Sequence, residues 1–471
     1  MEYDVVIGIE NHIELNTKTK MFSGAPFEFG KEANTGVNEI DLAMPGTLPS
    51  VNKEAVKKAL LVCLGLNFEI DPLIKFDRKN YFYSDLPKGY QITQQYHPIG
   101  RNGHLTIDGG KRINIERVHM EEDTAKQFHL KNETLIDFNR AGAPLVEIVS
   151  KPEMVSGEEA AGYVEKLRQI LLYLDVSDCK MEAGSMRCDV NVSIMPKGST
   201  VFGTKVEIKN LNSINNVKLA IDYEINRQKE LLEGGQEVIQ ETRRFDEKTG
   251  TTVLMRKKEG AIDYRYFPDA NITPILIDGA YIEKLKSEMI ELPDAKAKRY
   301  QDDYGLSDYD VSLLINNKDL AMYFEAVMQI SKNPKLTCNM LNSELLGLMA
   351  KNEIGFADLE FKAAEFAKLI NHLDAGNVSS KQAKTILTEA LYGKEVDAII
   401  EEKGFKQVSD TGAIQKMVDE VLDENPQSIV DFKNGKDRAL GYLVGQLMKK
   451  SKGQANPALA SKLVKEALEQ R

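Results

Sequence analysis

From Val5 to Leu15 apolar and polar residues alternate: Val5, Ile7, Ile9, Ile13 and Leu15 fall on one side, Gly8, Glu10, His12 and Glu14 on the other. A period of two is the period of a strand, so this segment predicts a strand with one face in a core and a carboxylate–imidazole face turned away from it. The next signal is helical. Asn52 stands where an N-cap would, and Val56, Ala59, Leu60 and Cys63 form one stripe that stops near Gly65. Ser156 and Glu159 have the spacing of a capping box, followed by Tyr163, Val164, Leu167, Ile170, Leu171 and Leu174 at helical intervals.

Alternation returns at Arg187–Met195, where Cys188, Val190, Val192 and Ile194 face a core while Arg187, Asp189, Asn191 and Ser193 face away. The spacing predicts a neighbouring strand over Thr204–Asn210 and a hairpin from Val238 to Glu259, turning around Lys248–Gly250. From about Leu292 strand alternation fades and helical stripes take over. The last sixty or so residues, with AIQKMVDEVLDEN, ALGYLVGQLMKK and ASKLVKEALEQR, form a compact terminal helical module. The expected class is α+β, a mixed sheet-and-helix domain followed by an all-helical domain and a small helical C-terminal module. A chain of 471 residues is too long for one core, which agrees with several domains.

Composition excludes more than it identifies. Hydrophobic residues at 42% and charged residues at 28% are ordinary for a soluble globular protein. No apolar run approaches a membrane span and the first residues lack a basic leader, so the chain reads as cytoplasmic and without membrane contact. Cys63, Cys179, Cys188 and Cys338 are scattered, with no C-x-x-C pair for a structural zinc or a disulfide framework. The net charge of −11 argues against a nucleic-acid surface over the whole molecule, yet Asp431 to Arg471 holds nine Lys/Arg against four Asp/Glu.

Chemistry concentrates on the strands. Glu10 and His12 share one strand face and can converge on one point. His119-Met-Glu121-Glu122-Asp123 ends a strand-like run, and Glu147 interrupts the apolar Pro144-Leu-Val-Glu-Ile-Val, where an unpaired carboxylate is costly to bury. Each of these residues is equally well a solvated strand position. Together, several acids and an imidazole suggest a divalent cation, magnesium or manganese. Arg187, Asp189 and Asn191 with Lys205, Glu207 and Lys209 mix anion- and cation-binding groups as a phosphate–metal surface does, although a cross-strand salt-bridge lattice uses the same residues. There is no P-loop, no G-x-G-x-x-G, no kinase motif set and no amidase Gly-Gly-Ser-Ser segment.

Long runs of this sequence resemble one family, the B subunits of the aspartyl/glutamyl-tRNA amidotransferase. They include FDRKNYFYSDLPKGYQI at 76–92, HMEEDTAK at 119–126, NRAGAPLVEIVSKPE at 139–153 and SMRCDVNVSI at 185–194. FGTKVEIKNLNS at 202–213, QETRRFDE at 240–247, DYRYFPD at 263–269 and LVGQLMKKSKGQANP at 443–457 continue the match in the family's order. The resemblance implies a heterotrimeric enzyme, in which an amidase (glutaminase) subunit releases ammonia from glutamine and a small third subunit makes up the assembly. The ammonia then passes through a tunnel to this subunit, where the side-chain carboxylate of Glu-tRNA(Gln) or Asp-tRNA(Asn) is phosphorylated by ATP and amidated. It also implies a cradle domain at 1–292, a helical domain at 293–405 and a tRNA-binding tail at 406–471. By position, Glu10, His12, Glu122 and Glu147 correspond to the magnesium cluster. Arg187, Asp189, Asn191, Glu207 and Lys209 fall in stretches expected to line the nucleotide site, and Lys449, Lys450 and Lys452 in the tRNA contact. In two places the sequence departs from the family. Zinc-binding cysteines are missing near Phe22 and Leu42, so no zinc is expected, and Asn11 replaces the usual apolar residue on the core face of the first strand. A tRNA-binding scaffold with a structural metal and a metal-dependent phosphohydrolase remain the alternatives.

Overall fold

The structure, a computed structural model, describes residues 2–257, 263–405, 411–433, 438–451, 455 and 457–470. The chain separates into two compact units, Met1–Pro293 and Asp294–Arg471.

The first unit is organised by one nine-stranded sheet. Its strands in chain order are β1 (Tyr3–Glu14), β2 (Glu69–Ile70), β3 (Gly100–Thr106), β4 (Arg112–Glu122), β5 (Pro144–Ser150), β6 (Met186–Pro196), β7 (Val206–Lys209), β8 (Glu241–Asp246) and β9 (Thr251–Lys257). Across the sheet they run β9-β8-β7-β6-β1-β5-β4-β3-β2, with the first strand of the chain near the centre. Every pairing is antiparallel except β7 with β8, whose parallel register requires a crossover; a helix over Ile214–Glu233 (α3) supplies it.

Three helices, α1 (Lys53–Gly65), α2 (Gly157–Tyr173) and α3, cover one face of this sheet, and their apolar stripes merge with the inward residues of the strands into a single core. Asn52 caps α1 through its side chain to the amides of Glu54 and Ala55, as its position in the sequence predicts. The end of α1 lies so close to α2 that a Cβ on Gly65 would come within 2.6 Å of Leu174 Cδ1, which explains the glycine better than any turn does. At α2 the Ser156 side chain accepts from the Glu159 amide, but Glu159 Oε2 accepts from the amide of Val155 at 2.9 Å. Only half of the expected capping box therefore forms.

With one face given to helices, the period of two leaves the other face of the sheet polar. A short three-stranded ladder of Asp77–Asn80, Tyr90–Thr93 and Phe267–Pro268 stands beside that polar face. Asn11, on the apolar side of β1 as the alternation predicts, is fully buried; its Nδ2 reaches the Arg187 carbonyl at 3.4 Å and its Oδ1 has no hydrogen-bond partner. Near Phe22 and Leu42 the structure holds a buried ion pair, Lys20 to Asp41 at 3.1 Å, with Ser23 Oγ donating to the same carboxylate at 2.7 Å.

The second unit is built of helices and contains two apolar clusters. One runs from Tyr300 to Ile400 and the other from Ile414 to Leu468. The α+β class expected from the two periodicities is the class observed. No helix of the described residues is long and apolar enough to cross a membrane.

Candidate active site

Strand register carries the polar residues into rows. His12 lies opposite Arg187 on one side and Glu147 on the other, and Glu147 lies opposite His119, so Arg187, His12, Glu147 and His119 form one row across β6, β1, β5 and β4. Glu10 faces Asp189 in the row beside it. Asn191 links Gly8 to Glu207, and Glu207 faces Thr242, in a third. Residues more than a hundred positions apart meet because antiparallel pairing places like faces together.

The closest group is His12, Glu121 and Glu147, whose ligand atoms all lie within 4.8 Å of one another. His12 Nε2 is 3.2 Å from Glu147 Oε2 and 3.6 Å from Glu121 Oε1. His119 Nε2 closes the group at 3.5 Å from Glu147 and 3.6 Å from Glu121, while its Nδ1 is buried without a hydrogen-bond partner. Thr93 Oγ1 donates to Glu121 at 3.3 Å.

The electrostatics follow from crowding. Burial disfavours a charged His12, but the hydrogen bond and charge of Glu147, then the charge of Glu121, outweigh it and lift the imidazole to about 9. Burial would raise Glu147, yet His119, His12 and Lys79 hold it well below the usual carboxylate range. Glu10 moves the other way, raised by burial and then by the charges of Glu147 and Asp189. Burial and the charge of Asp123 push Glu14 up to about 7. The surplus of acid favours a proton on His12, and a divalent cation could take that role. Two carboxylates and an imidazole within a few ångströms suit magnesium, and the nitrogen donor makes manganese at least as suitable.

Of the four residues matched to a magnesium cluster, the structure brings His12 and Glu147 together and leaves Glu10 in the adjoining row, where Asn191 Nδ2 donates to its carboxylate at 3.2 Å. It does not bring Glu122. That residue stands on the opposite side of β4 from His119 and Glu121, its carboxylate held by the Lys88 ammonium and the Ile92 amide at 2.9 Å. Period two decides this: counting from His119, the residue that returns to the same face is Glu121. The signal was present in HMEED.

The remaining predicted residues spread along the same face. Lys209 reaches the Asp189 carboxylate, and Glu207 at 3.4 Å, while Thr242 Oγ1 donates to Glu207 at 2.7 Å. Arg187 Nη2 pairs with Asp123 Oδ2 at 2.6 Å, and its Nε is buried without a partner. Burial opposes the charge on Lys209, but Asp189 above all keeps its ammonium raised. Lys209, Asp189, Arg187 and Asp123, with His12, Glu14, Lys79, Tyr81 and Glu121, line a cleft of about 1420 Å³. Lys79 was not singled out by the sequence. Burial opposes its charge, but Glu121 first among the neighbouring charges raises it. Its position one residue from Arg78 on a short polar strand gave no pattern to read. In the C-terminal part, Lys450 is met by Glu420 at 2.7 Å and Glu424 at 2.8 Å, Lys449 is exposed, and Lys452 lies outside the described residues.

Residues 5–283 match the GatB/GatE catalytic domain and residues 322–468 the GatB domain. The chain is 49% identical to the B subunit of the aspartyl/glutamyl-tRNA(Asn/Gln) amidotransferase of Geobacillus thermodenitrificans and to that of Geobacillus kaustophilus, over 476 residues and 100% of both chains in each case. It is 49% identical over 475 residues to the corresponding protein of Staphylococcus carnosus, again with both chains fully covered.

Proposed function

The chain belongs to the family of aspartyl/glutamyl-tRNA(Asn/Gln) amidotransferase B subunits, glutamine-dependent ligases of protein biosynthesis, and from that premise we propose that its polar sheet face activates the side-chain carboxylate of Glu-tRNA(Gln) or Asp-tRNA(Asn) for amidation. The observation that carries the reading is the convergence of His12, Glu121 and Glu147, with His12 and Glu121 lining a cleft that also presents Arg187, Lys79 and Lys209. Bringing a carboxylate to a triphosphate crowds two anions, and only positive charge placed beforehand offsets that repulsion.

The donor set fits a divalent cation, so His12, Glu121 and Glu147 would hold magnesium, with Glu10 beside them. When bound, the ion supplies charge to neutralise phosphate oxygens and orient the attack. Arg187, which lines the cleft, is suited to bind phosphate oxygens, and Lys209 sits farther along the same face. Asp123, in the same cleft, holds Arg187 by an ion pair of 2.6 Å. The carboxylate oxygen attacks the γ-phosphorus of ATP and ADP leaves; ammonia then attacks the acyl carbon and phosphate leaves. Ammonia would come from the amidase subunit of a heterotrimer that includes a small third subunit. In this reading residues 1–292 form the reacting domain, while 293–405 and 406–471 hold tRNA. Lys449 is the better tail contact of the two described lysines, because Lys450 is already paired. The absence of a nucleophile-bearing amidase segment in the sequence suits a division in which the partner releases the ammonia.

The test uses the assembled enzyme with glutamine, ATP, Mg2+ and misacylated tRNA, following amide formation on the tRNA. ATP-dependent amidation that disappears in Glu147→Gln, while glutamine hydrolysis continues uncoupled, supports the reading. Amidation at the wild-type rate by that variant would falsify it for this residue.

A further inference from the structure

Resting on that reading, we propose that Tyr81, Tyr264 and Tyr266, with Lys79 and Arg265, form a stacking platform for the unpaired terminal nucleobase of the tRNA acceptor strand. The three rings form a continuous edge-to-face series, Tyr81 to Tyr264 at 5.9 Å and Tyr264 to Tyr266 at 6.0 Å between centroids. Lys79 lies over Tyr264 at 5.0 Å and over Tyr81 at 5.9 Å. Aromatic rings in company with cations are how proteins hold unpaired bases, since every base offers a π-face and its backbone a negative charge.

Place and rigidity support the assignment. Tyr81 and Lys79 line the cleft that contains His12 and Glu121, so the platform borders the acid group directly. A base stacked there leaves its own ribose, and the aminoacyl ester on it, on the side of the reacting groups. The far segment is tied down: the Asn80 amide donates to the Tyr264 carbonyl at 2.9 Å and Asn80 Nδ2 to the Arg265 carbonyl at 2.7 Å. Arg265 is held at φ +47°, a conformation that a non-glycine residue adopts at a cost, and its exposed side chain has no ion pair among the described residues. A strained, tethered backbone that presents a guanidinium with no ion pair among the described residues, beside a tyrosine series, suits a phosphate next to a stacked base. The adenine of ATP fits less well, because the cations suited to a triphosphate, Arg187 and Lys209, lie across the sheet on β6 and β7.

The experiment compares binding of deacylated tRNA with and without its 3′-terminal nucleotide to the assembled enzyme, in wild type, Tyr264→Phe and Tyr264→Leu. Wild type and Tyr264→Phe should bind the complete tRNA about ten-fold more tightly, and Tyr264→Leu should lose that difference. Independently of any variant, 2-aminopurine in place of the terminal adenine should be quenched on binding to wild type. Equal affinity of wild type for the two tRNAs, an unquenched probe, or a preference kept in Tyr264→Leu each overturns the platform while leaving the amidation reading intact. A Tyr264→Leu enzyme with raised KM for ATP and unchanged tRNA preference also overturns it, assigning the rings to the nucleotide. Failure of wild type to bind either tRNA removes both readings.

Discussion

The two faces of β1 share one backbone and one set of hydrogen bonds, yet they obey different rules. On the helix side Ile7, Ile9 and Ile13 are buried among apolar side chains, and each contributes by leaving water. On the cleft side Glu10, His12 and Glu14 are also largely removed from water, but their charges are set chiefly by burial and by the neighbouring carboxylates Glu147, Glu121, Asp189 and Asp123. The first face is tolerant of chemistry and strict about volume; the second is the reverse. Asn11 belongs to the strict face but carries the chemistry of the other, and its Oδ1 has no partner there.

The largest expected effect is on the packed side. Ile9→Ala should cost about 2–5 kcal/mol of stability, since the site is closed on all sides and leaves a cavity; urea unfolding measures it, and a loss below about 1 kcal/mol would show that the helices can close over the gap. On the cleft side Glu121→Gln should change stability little and weaken divalent-cation binding about 10- to 100-fold. Manganese titration by electron paramagnetic resonance reads this, and Glu122→Gln, on the opposite side of its strand, should leave manganese affinity within about two-fold. The reverse ranking of those two variants would move the metal to the Lys88 side of β4.

The smaller effects sharpen the contrast. Asn11→Val should be neutral or stabilising by up to about 1 kcal/mol, because it removes an unpartnered amide oxygen from a dry core and gives up one hydrogen bond of 3.4 Å; a clear destabilisation would mean the amide is satisfied after all. In the helical unit, burial opposes the charge on Glu325, but the hydrogen bonds from Lys296 and Arg299 hold its pKa below the ordinary 4.5. The unfolded chain therefore binds the proton more readily, so this contribution is present above pH 4.5 and is lost as pH falls towards the folded value. Urea midpoints between about pH 7 and pH 4 should fall less in Glu325→Gln than in wild type, and parallel declines would show the pair to be too solvated to matter.

What could be read in advance follows from the range of the forces involved. Alternation and helical stripes are local, so β1, β6, the caps of α1 and α2, and the change to helices near residue 292 were legible from neighbours in the chain. The same local rule also contained the answer at HMEED, since β4 turns His119 and Glu121 to one side and Glu122 to the other. Position along a resemblance pointed to Glu122; geometry points to Glu121.

Other features depend on residues far apart. That Glu147 meets His12, or that Arg187 is anchored by Asp123, follows from the strand order β6-β1-β5-β4, and strand order is chosen by packing over the whole sheet. Lys79 reaches the acid group only because a separate three-stranded ladder stands beside the polar face, and Lys450 is neutralised by acids of another helix. By itself, then, the sequence determined which residues form each strand or helix and which side of it each occupies, because backbone geometry repeats every two or 3.6 residues. Only the tertiary structure decided which of those sides meet, and hence the raised pKa of His12 and the composition of the site, because charge interactions act through space and ignore separation along the chain.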